Sequence, residues 1–272
     1  MTNFISESSI ENAQTKILVE RNLEMIENKD FISKPKLNHT VDSLNNSFRI
    51  IFIKLNSCYN GYFRTVEILS GHVDIIREAI KFFRDSNFDA RFDLNLHTVD
   101  KRYVGVLLEK KLSKFFEPAF CFGEGNCLFR AVSQAVFGTQ DFHMVLRICS
   151  AFVLITHIEY FEKNSTWNSI CKKNGTQKMK QHIASIAMDK VYGGEDEQSA
   201  LSFIFKKPVL VLSSFCTVEY NPLVSKRDPI VLYFDFKGEH FTTLMLKKNV
   251  NFIFDFIRPE NTVIQETMID TI

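Results

Sequence analysis

The sequence predicts helices packed on a small sheet, an α+β or α/β domain. Two observations carry that reading: segments of helical period cluster between residues 128 and 205, and three short apolar β-type runs follow them. Leu128–Phe137 is apolar over most of a helix and stops at Gly138, a residue suited to the position just past a helix end. Asp141–Phe161 sets Val145, Ile148, Cys149, Phe152, Ile155, Ile158 and Phe161 on one wide face, the pattern of a longer, buried helix. A polar loop holding Trp167 and Gly175 leads into a helix expected over Lys178–Val191. Gly193-Gly194 breaks it, and Glu195–Phe205 is helical again. Val209–Leu212, Ile230–Phe234 and Phe241–Leu246 read as strands.

The first part of the chain is less distinct. Residues 1–30 form a polar, helical lead, with Ile10, Ile17, Leu18, Leu23 and Ile26 at imperfect helical spacing, and 34–46 read as a loop or linker. Phe48–Leu55 contains Ile50, Ile51, Phe52 and Ile53, a β-type run. Val73–Phe83 has the three-to-four spacing of an amphipathic helix, and Arg91–Leu108 is weakly strand-like. The expected organisation is an N-terminal extension over 1–110, a domain over 111–256 and a C-terminal tail over 257–272.

Hydrophobic residues at 45% and charged residues at 24% are the balance of a globular chain, enough to offset the entropy of ordering most of its 272 residues. A net charge of +1 provides no global attraction to nucleic acid or anionic lipid, so neither is an expected partner. Met1–Arg21 lacks a basic start followed by an apolar run, so no signal peptide is expected. The six cysteines (58, 121, 127, 149, 171 and 216) have no C-x-x-C pair or metal-ligand rhythm. A reduced, intracellular setting, cytoplasmic or nuclear, is therefore expected, with no metal and no cofactor. In that setting the sequons at Asn38, Asn45, Asn164 and Asn174 stay unmodified.

The chemically informative string is Cys121-Phe122-Gly123-Glu124-Gly125-Asn126-Cys127-Leu128-Phe129-Arg130-Ala131-Val132. Two glycines one residue apart permit a tight turn that exposes main-chain groups. Cys127 then opens an apolar helix, where unpaired N–H groups and the helix dipole favour a thiolate and lower the thiol pKa. The same groups, on Gly125, Asn126 and Cys127, can hold an oxyanion. A thiol nucleophile needs a base, and seven histidines are available: 39, 72, 97, 143, 157, 182 and 240. His143 and His157 fall on the long helix and His182 on a polar helix face. His240 stands apart because it follows the Gly238-Glu239 turn and opens an apolar strand.

Gly123-Glu124-Gly125-Asn126-Cys127-Leu128-Phe129-Arg130-Ala131 resembles the G-D-G-N-C-L-F-R-A signature of the ovarian-tumour (OTU) family of cysteine peptidases. Glu239-His240-Phe241 resembles that family's histidine motif, and Tyr192-Gly193-Gly194, Ala200-Leu201-Ser202 and Pro208-Val209 resemble its middle section. The resemblance covers residues 115–250 and implies a papain-like α+β core with a mostly antiparallel sheet. It also implies a thiol-dependent deubiquitinase that hydrolyses isopeptide or peptide bonds after the C-terminus of ubiquitin or a ubiquitin-like modifier. Cys127 would attack, His240 would move the proton, and the main chain of Gly125–Cys127 would hold the oxyanion.

Two departures from the family pattern bear on the third catalytic member. Glu124 stands where the family usually has Asp, and Thr242 stands where many members have the Asn or Asp that orients the imidazole. Glu124 is the first candidate to orient His240 and Thr242 the second, since strand alternation puts 240 and 242 on one face. The same departures support an alternative reading, a catalytically weak fold of mobile-element origin that binds ubiquitin or a chromatin partner. A third reading is a thiol acyltransferase or small-ester hydrolase using the same pair. Elsewhere bland readings prevail: Cys121 and Cys149 as core, Arg130 as a structural residue, Trp167 as a rim aromatic, and Lys172, Lys173, Lys178 and Lys180 as solvated lysines.

Overall fold

A computed structural model describes residues 41–57, 61–85, 94–109, 112–164, 175–214, 216–222, 228–248 and 263–267. The expected helical lead over 1–30, Trp167, Lys172 and Lys173 lie outside the described residues. Helices precede and surround a mixed sheet, as the α+β expectation requires.

Three helices open the described chain: α1 (Val41–Asn56), α2 (Tyr62–Ser70) and α3 (Val73–Asp85). The helical reading of Val73–Phe83 holds, with Ile76, Ala79, Ile80 and Phe83 buried. The β-type reading of Phe48–Leu55 does not, and the loop expected over 34–46 gives way to α1 from Val41. Leu44, Phe48, Ile51 and Leu55 are buried at a spacing of three to four, whereas Ile50 and Ile53 are exposed. Of the weakly strand-like stretch, Val99 makes one bridge to Ala119, and Val104–Glu109 is a short helix, α4. Asp100 diverts the chain: its Oδ1 accepts from Arg102 N at 3.2 Å and its carbonyl accepts from Tyr103 N at 3.2 Å.

β1 (Phe116–Ala119) leads through the glycine loop to α5 (Cys127–Phe137), which ends at Gly138 in the left-handed conformation (φ 74°). The single helix expected over Asp141–Phe161 is two, α6 (His143–Thr156) and α7 (Ile158–Asn164). The break coincides with Thr156, whose hydroxyl donates back to the carbonyls of Phe152 at 3.0 Å and Val153 at 3.1 Å. α8 (Gly175–Ile186) stops before the expected Val191, and α9 (Glu195–Phe205) matches its expected bounds.

Three strands appear where expected, as β2 (Val209–Ser213), β4 (Ile230–Asp235) and β5 (His240–Leu246). Three more, β1, β3 (Thr217–Pro222) and β6 (Val263–Thr267), complete a sheet of order β1-β5-β4-β2-β3-β6. β6 lies within the stretch expected as a tail. β1/β5, β5/β4 and β2/β3 are antiparallel, while β2/β4 and β3/β6 are parallel.

One face of the sheet is covered by the large core. Leu44, Phe48, Ile76 and Phe83, all before residue 110, are buried in the same cluster as Leu128, Phe129, Leu146, Leu201 and Phe241. The other face packs Tyr103 and Leu107 against Leu212, Tyr233 and Leu244. α5 lies against β5, so the first residue of one and the start of the other converge at one end of the sheet.

Candidate active site

Cys127 is the first residue of α5, and the loop that delivers it is strained in a directed way. Glu124 (φ 62°) and Gly125 (φ 77°) both adopt the left-handed region, as does Lys190 (φ 60°) opposite them. Only glycine fits at 125, because a Cβ there would lie 2.0 Å from the Lys190 carbonyl oxygen. Asn126 N–H closes the turn on the Gly123 carbonyl at 3.3 Å, so of the three expected oxyanion donors this one is engaged within the loop. The Asn126 side chain does not cap the helix. Its Nδ2 donates to Asp189 Oδ1 at 2.9 Å, and its Oδ1 accepts from Arg147 at 2.7 Å.

The thiol of Cys127 is buried. Burial pushes its pKa up, against the pull of the main-chain N–H groups of Phe241, Leu128 and Cys127 itself and of the Arg147 charge. The expected lowering by the helix terminus is therefore present but outweighed. Approach to the Phe241 main chain brings the sulfur to the strand position next to His240. The two proposed partners thus come from adjoining positions, although among the described residues no hydrogen bond joins thiol to imidazole.

His240 opens β5 after a tight turn in which Glu239 has φ 46° and Asp235 Oδ1 accepts from Lys237 N at 3.0 Å. Its Nδ1 faces Gly123, where an added Cβ would lie 3.9 Å away, and its buried Nε2 has no partner among the described residues. Burial lowers the imidazole pKa, and Arg102 adds to that effect. Asp100, Asp235 and the main chain of Cys121 act the other way. Both shifts favour the neutral forms of the two candidate partners at neutral pH.

Neither residue expected to orient the imidazole does so. The Glu124 carboxylate is exposed and lies 3.5 Å from Lys190 Nζ, because the left-handed turn aims it outward. Thr242 is fully buried, and its hydroxyl has no partner among the described residues. The groups around His240 are ones sequence reasoning missed. Asp235 is its cross-strand partner and accepts from the Tyr103 hydroxyl at 3.3 Å. The Tyr103 ring runs parallel to the imidazole at 6.4 Å between centroids. Arg102 holds the buried Asp100 through two bonds of 2.8 and 2.6 Å.

An aromatic row borders the site: Tyr192 lies 5.9 Å from Phe241, and Phe234 lies 4.6 Å from both Phe241 and Phe236. Across the glycine loop Phe122 is exposed, with the Arg130 guanidinium 5.7 Å from its ring centre. Cys121 is a packed thiol bonded to Gln134 at 3.0 Å, and burial pushes it up to about 11, so it does not compete as a nucleophile. Among the described residues no cluster of His, Cys, Asp or Glu could hold a metal, and no helix is long and apolar enough to cross a membrane.

Residues 118–218 match the family model described as Vertnin, OTU domain. No curated protein matches the chain. Among solved structures the chain is similar to the OTU domain of OTUD1, at 20% identity and a TM-score of 0.42 over 56% of this chain and 98% of that one. It is also similar to the viral OTU domain protease from Farallon virus, at 18% identity and a TM-score of 0.39 over 49% and 85%. The Hazara virus OTU, solved bound to ubiquitin, is 14% identical with a TM-score of 0.38 over 49% and 83%.

Proposed function

We propose that the protein is a thiol-dependent deubiquitinase, a reading supported by the match of residues 118–218 to the family model described as Vertnin, OTU domain. It hydrolyses the bond after the C-terminus of ubiquitin or a ubiquitin-like modifier, and it acts inside the cell, in cytoplasm or nucleus. The observation that carries this reading is the convergence of Cys127, at the head of α5, with the strand position beside His240. Cys127 attacks the carbonyl, the thiol proton passes to His240, and the imidazolium then protonates the departing amine. Because both shifts favour the neutral forms, proton transfer accompanies substrate binding rather than preceding it. The N–H of Cys127, with that of Gly125, is the oxyanion donor in this scheme. A ubiquitin carrying a C-terminal electrophile should label the wild type and spare Cys127→Ala. Labelling of both, or of neither, would remove the proposal.

The site itself favours a second reading, a weakly catalytic module that binds ubiquitin or a chromatin partner. Its basis is the imidazole that neither Glu124 nor Thr242 holds, beside a thiol whose pKa burial raises. Ubiquitin affinity without chain cleavage would favour it, and turnover of ubiquitin chains would exclude it.

A further inference from the structure

Arg147 sits in the middle of α6, wholly buried, in a helix whose residues 145–155 are otherwise apolar or small. Burying a guanidinium is costly, and a leucine or methionine would fill the same space without that cost. Burial pulls its pKa down to about 10, with the charges of Glu197 and Asp189 resisting. Among the described residues no carboxylate hydrogen-bonds to it directly. Its Nη1 donates to the Ile186 carbonyl at 2.8 Å, and its Nη2 donates to the Gly125 carbonyl at 3.0 Å, Asn126 Oδ1 at 2.7 Å and the Val191 carbonyl at 2.7 Å, while the buried Nε has no partner among the described residues. The guanidinium lies over the Phe129 ring, 4.5 Å from its centre, on the first turn of the nucleophile's helix.

These bonds join two loops that must keep their left-handed turns against one another. One carries Gly125 and Asn126 into Cys127; the other, 186–191, carries the Lys190 carbonyl against which Gly125 packs. Asp189 closes the circuit from outside, accepting from Asn126 and from Lys190 N at 2.9 Å each. A planar fork with five donors can fix the Gly125–Asn126 peptide plane, whereas a lysine ammonium cannot reproduce that geometry.

We propose that Arg147 is the positioning residue of the oxyanion loop: it sets the main chain of Gly125–Cys127 from beneath, so acyl transfer depends on it more than thiol reactivity does. This rests on Cys127 being the nucleophile. It separates two reactions of one sulfur. Acylation by p-nitrophenyl acetate forms a Cys127 Sγ–acyl bond and breaks the ester C–O bond. It releases p-nitrophenolate, passes the thiol proton to His240 or solvent, and proceeds through an oxyanion. Alkylation by iodoacetamide displaces iodide and has no oxyanion.

The test measures both rates on Cys127 of the full chain by mass spectrometry of the digested protein, so that the label on the Cys127 peptide is separated from that on exposed Cys216 and the other cysteines. Arg147→Lys keeps the charge near the thiol and removes the fork. It should lower acylation at least about tenfold while leaving alkylation within about twofold. Asp189→Ala, which leaves the buried guanidinium in place and so serves if Arg147→Lys fails to fold, should lower the acylation-to-alkylation ratio by about threefold or more. A folded variant with an unchanged ratio, or with both rates falling together, overturns the role of Arg147 alone. No acylation of wild-type Cys127 removes the nucleophile reading and this role with it.

Discussion

The two sides of the site are built differently. On the nucleophile side, the Gly123–Asn126 loop is fastened by Arg147, Asp189 and its own Asn126–Gly123 turn through bonds of 2.7 to 3.3 Å, and it packs against the Lys190 carbonyl. On the histidine side, the imidazole has a buried nitrogen with no partner among the described residues, a parallel tyrosine at 6.4 Å and carboxylates that act at a distance. A main chain that must present fixed N–H dipoles benefits from being locked before substrate arrives. A base that takes up and returns a proton needs room to change charge. In the proposed mechanism, the difference assigns preorganisation to the Gly123–Asn126 loop and adjustability to the imidazole.

Two glycines of the same loop offer the sharpest way to break that contrast. Gly125→Ala places a Cβ in the Lys190 carbonyl at a positive φ, and should cost about 3 kcal/mol or more in urea unfolding. Gly123→Ala meets only the imidazole, at 3.9 Å, and should cost less than about 1 kcal/mol. Comparable losses at the two positions would show that the loop is not locked on one side.

The resting charge state gives the next effect. With the thiol pKa raised and the imidazole pKa lowered, thiolate is scarce at neutral pH. The rate of Cys127 alkylation by iodoacetamide should therefore climb with a midpoint above the ordinary thiol value of 9.0. A plateau already reached near neutral pH would mean a preformed ion pair. Charge changes around His240 should be felt less, in opposite directions. Asp235→Asn removes a charge that favours imidazolium and should lower the imidazole midpoint, while Arg102→Gln removes one that opposes it and should raise it. Each shift should be under about one unit when the ring protons are followed by NMR. The smallest effect belongs to Glu124→Gln, under about twofold in acylation, because that carboxylate is exposed and paired with Lys190. A tenfold loss there would restore Glu124 to the imidazole.

How much of this was legible in the sequence depended on whether local pattern and tertiary demand agreed. α3, α5 and α9 show helical period or stop signals of their own, and β2, β4 and β5 are short apolar runs buried at the sheet's centre. α1 misled because Ile50-Ile51-Phe52-Ile53 resembles a buried strand. The decisive signal was Leu44-Phe48-Ile51-Leu55, which repeats at helical spacing through a polar background. β1 and β3 escaped because each contains a proline and polar residues, as strands toward the margins of a sheet can. In the site, Cys127 and His240 were legible because motif and element boundary coincide. Arg147 was not, since one charge in an apolar helix looks like an interruption; its isolation among Val145, Leu146 and Ile148 was the available clue. Asp235 and Tyr103 could not be found from sequence spacing, because only the β4–β5 pairing brings Asp235 to His240 and only packing on the second sheet face brings Tyr103 there.

The hydrogen bond from Asp189 N–H to Asn56 Oδ1, at 2.7 Å, ties the loop beneath Cys127 to the last residue of α1. That contact, with the shared core, bears on how the protein can be dissected. A fragment beginning at 111 would lose Leu44, Phe48, Ile51, Leu55, Val66, Leu69, Ile76, Ile80 and Phe83, each fully or almost fully buried. Each such side chain contributes roughly 2 kcal/mol of burial before the entropy of ordering it is subtracted. That burial lies against α6 and α9, which stay in the fragment. Truncation at the edge of the recognisable motif is therefore expected to expose the underside of the helix that carries Arg147, and a fragment from 111 should unfold at lower urea and be less soluble than one that begins at α1.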